Sequence, residues 1–423
     1  MKVLVITRGS WSRNNNIGNT VENLFSLLPN YDFFNLALKD GNVDSDVCKR
    51  FFSISEKDMC SHILSKNVCR EVFAKKNDFL VDEKKSIYNY ANTKYSSNFF
   101  KIIREIIWKI GRWKNDALNR YLDEIKPDVV FMPVFNCLFP YDVLKYVINR
   151  TNAKVILFHA DDNISIPKDS NSHVFKWYRK VLRNKIMDVA RNATNVAISE
   201  LMANEYSSIC NKSFDIIYKS CKNIAAHSAS FTGDNCFENA HFLYTGNVGV
   251  GRWESLILLG KELMKYKNSE LSIYTANTLS KKMLLELNEI PSIKLHKPVS
   301  NNEVFKLQRN ADFLVFVESF DEGNADMVKY SFSTKITDYL ECGKCIIALG
   351  NDKVSAIQYF LKNHAAIVIN KPTKIGDTLH DFSDQPQQLT EIAASALLCA
   401  RNNHSAEKIR TILNDVFTKA FAE

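Results

Sequence analysis

The sequence predicts an α/β fold in which two doubly wound, Rossmann-like parallel-sheet domains follow one another along the chain. Three observations carry that prediction. Short apolar runs alternate with amphipathic stretches of helical period from end to end, which is the pattern of strand–helix crossovers. The chain has 423 residues, well above the size at which one core stops growing, so two domains of about 200 residues each are the default. A polar and weakly periodic stretch, Lys219 to Gly233, then interrupts the alternation midway and marks the junction. The domains are accordingly set at residues 1–220 and 221–385, followed by a helical segment, 386–423.

Taken in order, the first element is the strand Lys2 to Thr7. Its apolar run is too short for a signal peptide and reads as a buried strand. Asp128 to Pro133, Lys154 to His159 and Asn195 to Ser199 are the next strand candidates, alternating with helices near 18–27, 97–125, 173–192 and 200–210. In the second half, strands near 242–245, 271–275, 293–295, 313–317, 345–349 and 366–369 alternate with helices near 253–266, 279–288, 301–309, 334–342 and 353–361. Two more helices, near 386–401 and 405–421, close the chain. No apolar run approaches the roughly 18 residues a membrane span needs.

The excess of 55 Lys and Arg over 47 Asp and Glu gives a net charge of +8, which favours anionic partners without naming them. Nucleic acid, an anionic membrane and nucleotide phosphates all satisfy it. The ten cysteines have no His partner at zinc spacing, and Cys137, Cys345 and Cys399 sit in apolar runs. Buried reduced thiols of a cytoplasmic protein account for them better than a disulfide framework or a metal site.

The most informative segment is Ser331 to Gly350. It reads as a polar turn ending in Ser333, Thr334 and Lys335, a helix carrying Asp338 one turn on, a stop at Gly343 and a buried strand from Cys345. A helix that opens with hydroxyls and a Lys combines unpaired N–H groups, the positive end of a dipole and an ammonium, which suits a phosphate. A plain α/β crossover shares the same helix–Gly–strand order. A second segment, His241 to Leu256, runs from an apolar strand through Gly246, Asn247, Gly249 and Gly251 into a helix that begins near Arg252. Glycines there let a diphosphate approach the backbone closely, although glycine loops are common and this one is not the dinucleotide fingerprint.

These two segments resemble the donor-binding half of B-fold glycosyltransferases of family four. Ser331 to Gly350 is similar to the Ser-x-Lys-x-x-Glu-Tyr-Leu-x-x-Gly-Lys-Pro-Ile-Ile signature, and His241 to Leu256 to the Gly-Arg-Leu-x-x-x-Lys-Gly loop. The resemblance implies two Rossmann-like domains facing a cleft, with the last helices packing back across the first domain. It implies that Asp338 grips the ribose of a nucleotide diphosphate sugar and that the Ser333–Thr334 turn holds its phosphates. Asn247 falls on the family's Arg and Arg252 on its Lys, so one cation is kept and one lost, and Lys335 can supply the missing charge. The resemblance covers residues 195–350 well and the rest faintly. It departs at the Glu-x7-Glu motif: with Asp338 as the second acid, the first position falls on Tyr330. Glu318, which directly follows the apolar strand 313–317, and Glu322, in a Glu-Gly pair, are the acids that could contact the sugar instead, and Glu318 is favoured by its strand-end position.

The first half says less. Gly9 to Thr20, with Asn14, Asn15, Gly18 and Asn19, is a polar loop opening a helix where α/β proteins bind ligands, and it loosely matches the family's acceptor-side loop. A solvated loop reads equally well. The strand Lys154 to Phe158 delivers His159, Asp161 and Asp162 to the same kind of edge, where a His can move a proton and carboxylates suit sugar hydroxyls or a general base. Capping of the next helix is the other common fate of such an Asp. Two stretches, 99–114 and 173–191, mix large apolar residues with Lys and Arg and include Trp108, Trp113, Trp177 and Tyr178. Basic helices with interfacial aromatics lie on anionic bilayers, although an apolar core face beneath solvated cations gives the same pattern.

The reading is a metal-independent, retaining transferase, with no cofactor. It moves a hexose-type sugar from a nucleotide diphosphate donor to a saccharide acceptor, lipid-linked and on the route to a surface polysaccharide such as capsule or lipopolysaccharide. Cytoplasmic placement at the inner face of the membrane is expected, and nucleic acid is not. A nucleotide-sugar epimerase of the same fold and a non-catalytic nucleotide-sugar-binding module are the rival readings.

Overall fold

The computed structural model describes residues 1–13, 16–56, 59, 68–72, 98–165 and 173–422, so Asn14 and Asn15 of the polar loop lie outside the described residues. The chain divides into two compact units. The first holds residues up to Ile198, Ala203–Ile217 and the C-terminal residues from Arg410, and the second holds Ser199–Met202 and Tyr218–Ile409.

In chain order the first unit has β1 (Lys2–Thr7), α1 (Asn16–Phe25), β2 (Asp32–Ala37), β3 (Cys48–Ile54), β4 (Cys69–Val72), α2 (Asn98–Ile110), α3 (Asp116–Ile125), β5 (Val129–Pro133), α4 (Phe139–Thr151), β6 (Lys154–His159), α5 (His173–Ala190), β7 (Thr194–Ala197), α6 (Glu200–Cys210) and β8 (Phe214–Ile216). Its sheet runs β4-β3-β2-β1-β5-β6-β7-β8, parallel except for the antiparallel edge strand β4. Strands β2, β3, β4 and β8 and helix α4 are additions to the sequence reading. Polar residues inside these strands hide them: Asn35 lies in the middle of β2, and its side-chain NH2 donates to Val5 O and Thr7 Oγ1 of β1, each at 2.9 Å. The single helix expected over 97–125 is two, because Asn115 caps a new start by accepting from Leu118 N at 3.1 Å. At the core, the Phe25 and Phe33 rings stack at 4.4 Å, with Phe131 and Phe417 edge-on against Phe25.

The second unit continues with β9 (His241–Thr245), α7 (Arg252–Leu263), β10 (Glu270–Tyr274), α8 (Lys281–Asn288), β11 (Ile293–His296), α9 (Asn301–Asn310), β12 (Phe313–Val317), α10 (Glu322–Val328), α11 (Thr334–Glu341), β13 (Cys345–Leu349), α12 (Ser355–Asn363), β14 (Ile367–Ile369), α13 (Ile375–Ser383) and α14 (Pro386–His404). The last helix, α15 (Ala406–Ala422), leaves this unit at Arg410. The sheet is all parallel, in the order β11-β10-β9-β12-β13-β14. Its central strands β12 and β13 are buried along their whole length, which is why they read as unbroken apolar runs. Phe242 and Tyr244 of β9 join one core with Leu256 and Leu259 of α7 and Leu379 of α13, while Leu243 between them joins another with Ile336 and Leu340 of α11.

In each sheet the winding reverses beside the first strand. β1 lies between β2 and β5, and β9 between β10 and β12. Connections leaving such a pair of neighbours run to opposite sides and open a crevice at the carboxyl ends, where α/β sheets bind ligands.

Candidate functional site

The reversal in the second unit brings together the two segments that the sequence singled out. After β9 the chain turns through Gly246–Gly251 into α7, and after neighbouring β12 it delivers Glu318. The loop is built tightly. Gly246 has φ +140°, and a Cβ there would collide with the Lys335 amine, so only glycine lets this backbone reach that side chain. Val250, a non-glycine at φ +55°, and Gly251 at +72° complete a left-handed turn before the helix. Asn277 Oδ1 accepts from Val248 N at 2.9 Å and Asn247 Oδ1 from Gly249 N at 2.6 Å, so side chains rather than a sheet ladder fix the loop. Tyr244 donates its hydroxyl to Asn247 O at 2.5 Å.

Arg252 is the first residue of α7. Its guanidinium grips Glu318 with two donors, Nε to Oε2 at 2.9 Å and Nη2 to Oε1 at 3.0 Å. Glu318 is buried, which pushes its carboxyl upward, while Arg252 beside it pulls it down again. Ser333 caps α11 by accepting from Lys335 N at 3.3 Å, Thr334 is the exposed first residue of the helix, and Lys335 follows. The Lys335 amine lies 4.6 Å from the centre of the Tyr244 ring and donates to the Tyr244 hydroxyl at 3.4 Å. Burial lowers its pKa to about 8, opposed by the field of Glu318 and reinforced by that of Arg252.

Asp338, one turn farther along α11, is part-buried and paired with Lys219 at 2.5 Å. Lys219 was not singled out in the sequence, because it sits in the featureless junction 119 positions away. Nor was Tyr244, whose strand reads as ordinary core. Behind them, Tyr339 OH accepts from Thr245 N at 3.2 Å and Gln308 donates to Thr245 Oγ1 at 3.1 Å, so the end of β9 is held by buried polar groups. The structure therefore gathers Gly246, Asn247, Gly249, Arg252, Glu318, Ser333, Thr334, Lys335 and Asp338 along one sheet edge. Glu322 belongs to the first turn of α10, where it is exposed and bound to Asn351 Nδ2 at 3.2 Å and to Lys353. Tyr330 is buried, and its carbonyl accepts from Ser199.

In the first unit His159 ends β6 with no solvent exposure, Nε2 facing Asn195 Oδ1 at 3.3 Å and the ring flanked by Tyr206 and Phe214. Burial pulls its pKa down to about 4. Asp162 accepts from Ser165 N and Tyr206 OH, whereas Asp161 beside it is exposed. Gly18 is buried within α1, and Asn19 next to it is half-buried. Among the described residues no group of three or more His, Cys, Asp or Glu could hold a metal ion.

Chemically, the second-unit edge joins two cations, one buried acid and a glycine loop at a helix start, an arrangement suited to a diphosphate. No family model matches the chain, and no curated protein matches its sequence. Solved structures do match in shape over nearly the whole chain. HepE from Anabaena, solved with UDP and glucose, superimposes with a TM-score of 0.61 at 9% identity, covering 99% of this chain and 100% of that one. Sucrose-phosphate synthase from Thermosynechococcus elongatus gives 0.61 at 9% identity, covering 100% of both chains. A UDP-forming trehalose-phosphate synthase from Burkholderia xenovorans, solved with glucose-6-phosphate, gives 0.56 at 7% identity over 98% of this chain and 99% of that one. At such identities the likeness establishes the fold, which is the glycosyltransferase B-type fold.

Proposed function

We propose that the protein is a glycosyltransferase that takes a hexose-type sugar from a nucleotide diphosphate donor. One observation carries the reading: Arg252 and Lys335, from segments far apart in sequence, meet the Gly246–Gly251 loop at the carboxyl edge where the sheet reverses its winding. The barrier to transfer is cleavage between the anomeric carbon and the phosphate, so charge growing on the leaving diphosphate is what must be stabilised. Fixed cations and helix-start N–H groups do that without reorganising. Asp338, with Lys219 holding one of its oxygens, keeps the other for the ribose hydroxyls. The matched structures, which include HepE bound to UDP and glucose and a UDP-forming trehalose-phosphate synthase bound to glucose-6-phosphate, support a nucleotide-sugar donor and a saccharide acceptor.

A lipid-linked acceptor is the finer part of the proposal. Helices α2 and α5 pack side by side, Lys101 Nζ lying 5.5 Å from the Phe175 ring centre and Tyr178 donating to Glu105 at 2.7 Å. Together they leave Ile106, Ile110, Val174 and Trp177 more than half exposed among Lys and Arg, which supports contact with an anionic bilayer. Some of those cations are committed elsewhere, Arg104 to Glu56 and Lys185 to Asp142, and Arg179 is buried. No described helix is long and apolar enough to cross a membrane.

The test is a thermal-shift panel of nucleotide-sugars, because a ligand bound only by the native state raises the melting temperature by mass action. The matching donor is then incubated with and without saccharide acceptors. Acceptor-dependent release of nucleoside diphosphate is expected. Conversion of the sugar without acceptor would indicate an epimerase, and binding without turnover a non-catalytic nucleotide-sugar-binding module.

A further inference from the structure

Glu318 is held on every side. Its N–H donates to Leu349 O at 2.7 Å, its carbonyl accepts from Ser255 Oγ at 3.0 Å, and Gly350 passes so close that a Cβ there would come within 2.9 Å of the Glu318 Cβ. Its carboxylate has both oxygens in the fork of Arg252 and its side chain is 3% exposed, against 13% for Arg252. A ligand arriving from solvent therefore meets the guanidinium before the carboxylate. Were the fork to open, a carboxylate would be left unpaired in the interior, a strongly unfavourable state, so the pair stays closed when an anion binds. Arg252 Nη1 lies outside the fork and donates to Gly249 O at 3.5 Å, which turns that edge toward the glycine loop.

We infer that Glu318 is a positioning residue: it clamps the guanidinium so that the Nη1 edge faces a diphosphate, and it does not itself touch the transferred sugar. This deepens the transferase reading and rests on it. The acid expected from the sequence to contact the sugar thus acts one step removed, through Arg252.

The experiment is a double-mutant cycle of Glu318→Gln and Arg252→Ala. Calorimetric titration with uridine diphosphate comes first, then with guanosine and adenosine diphosphate, followed by steady-state kinetics with the sugar of whichever base binds. Glu318→Gln is expected to weaken nucleoside diphosphate binding by about tenfold, as loss of a charge-assisted clamp does. In the Arg252→Ala background the same exchange should change it by less than about twofold, since a residue acting only through another shows full coupling. An unchanged dissociation constant with a depressed kcat in Glu318→Gln, or effects that multiply in the double variant, would mean direct sugar contact and overturn the assignment. Arg252→Ala leaves a buried carboxylate without its partner. Should it fold poorly, the arginine Nε–H signals in a nitrogen-edited proton spectrum decide instead. That of Arg252 is expected to exchange slowly in the parent with and without uridine diphosphate and quickly in Glu318→Gln, and opening of the pair on binding would refute the clamp. If none of the three nucleotides binds the parent, the transferase reading falls and takes this assignment with it.

Discussion

Lys335 is the residue whose chemistry depends most on its surroundings. An ammonium with a pKa near 8 is largely charged at neutral pH and mostly neutral by pH 9. Only the charged form serves a diphosphate, so nucleoside diphosphate affinity should decline as pH rises through about 8, and Lys335→Met should be weaker throughout and lose that dependence. Titrations between pH 6.5 and 9.5 check this, and a flat parent profile would count against a phosphate role. Stability moves the other way. The unfolded chain holds the Lys335 proton up to the ordinary value of 10.5, so a burial penalty present below about 8 is relieved as pH rises between the two. Asp338 gives a second prediction at this scale. Asp338→Asn keeps the shape but gives up the charge-assisted bond to Lys219 and, on the proposed ribose contact, a carboxylate oxygen offered to the ribose, so binding of the nucleoside diphosphate should weaken about tenfold or more, worth about 1.5–3 kcal/mol. An affinity equal to the parent's would remove the ribose assignment.

At the scale of the element, the loop between β9 and α7 carries the site by its backbone. Gly246→Ala would force a side chain into a conformation that L-residues rarely adopt and drive its methyl onto the Lys335 amine. The expected cost is about 1–3 kcal/mol of stability, with loss of donor use beyond what that destabilisation explains. Urea midpoints and donor kinetics on the same preparation separate the two, and parent-like kinetics would show that the close approach is dispensable. Helices α2 and α5 supply the other element-level outcome. On the proposed membrane contact, Trp177→Ser should reduce co-sedimentation with anionic phosphatidylglycerol vesicles while leaving soluble-substrate kinetics intact, because it removes an exposed aromatic without touching the core. Equal binding to zwitterionic vesicles would argue for adhesion of another kind.

Over the whole molecule, each unit contains a buried neutral histidine, His159 in the first and His404 in the second, whose ring nitrogens face Tyr359 OH at 2.8 Å and Lys219 O at 3.2 Å. Burial lowers both to about 4 from the ordinary 6.5. A histidine kept neutral in the fold contributes stability that is complete above about 6.5 and is lost as pH falls toward 4, at up to about 1.4 kcal/mol per pH unit for each ring. Glu318 and Glu341, pushed upward by burial, take up protons in the folded state and oppose part of that loss. Both units should therefore weaken between pH 6.5 and 5, measurable as falling urea midpoints, and midpoints that hold steady would show the rings to be more accessible than their burial implies.

How much of this was legible in the chain follows from how local each determinant is. The strand–helix alternation of the second half, the polar turn ending in Ser333, Thr334 and Lys335 and the glycine turn before Arg252 are all written within about a dozen neighbouring residues, and the structure has these elements near the expected positions, with helices α10 and α13 added to them. Strands β2, β3 and β8 were not legible, since Asn35, Lys49, Arg50 and Asp215 break the apolar runs that announce a buried strand. Pairings across the fold could not be read at all. Arg252 finds Glu318 across 66 positions because parallel pairing of β9 with β12 sets their ends side by side, and Lys219 finds Asp338 across 119. The sequence by itself determined which groups the protein owns and which local backbone presents them. Tertiary structure alone decided which acid each cation faces and which histidine is sealed from water, because strand order and burial are properties of the assembled sheet and leave no mark on neighbouring residues.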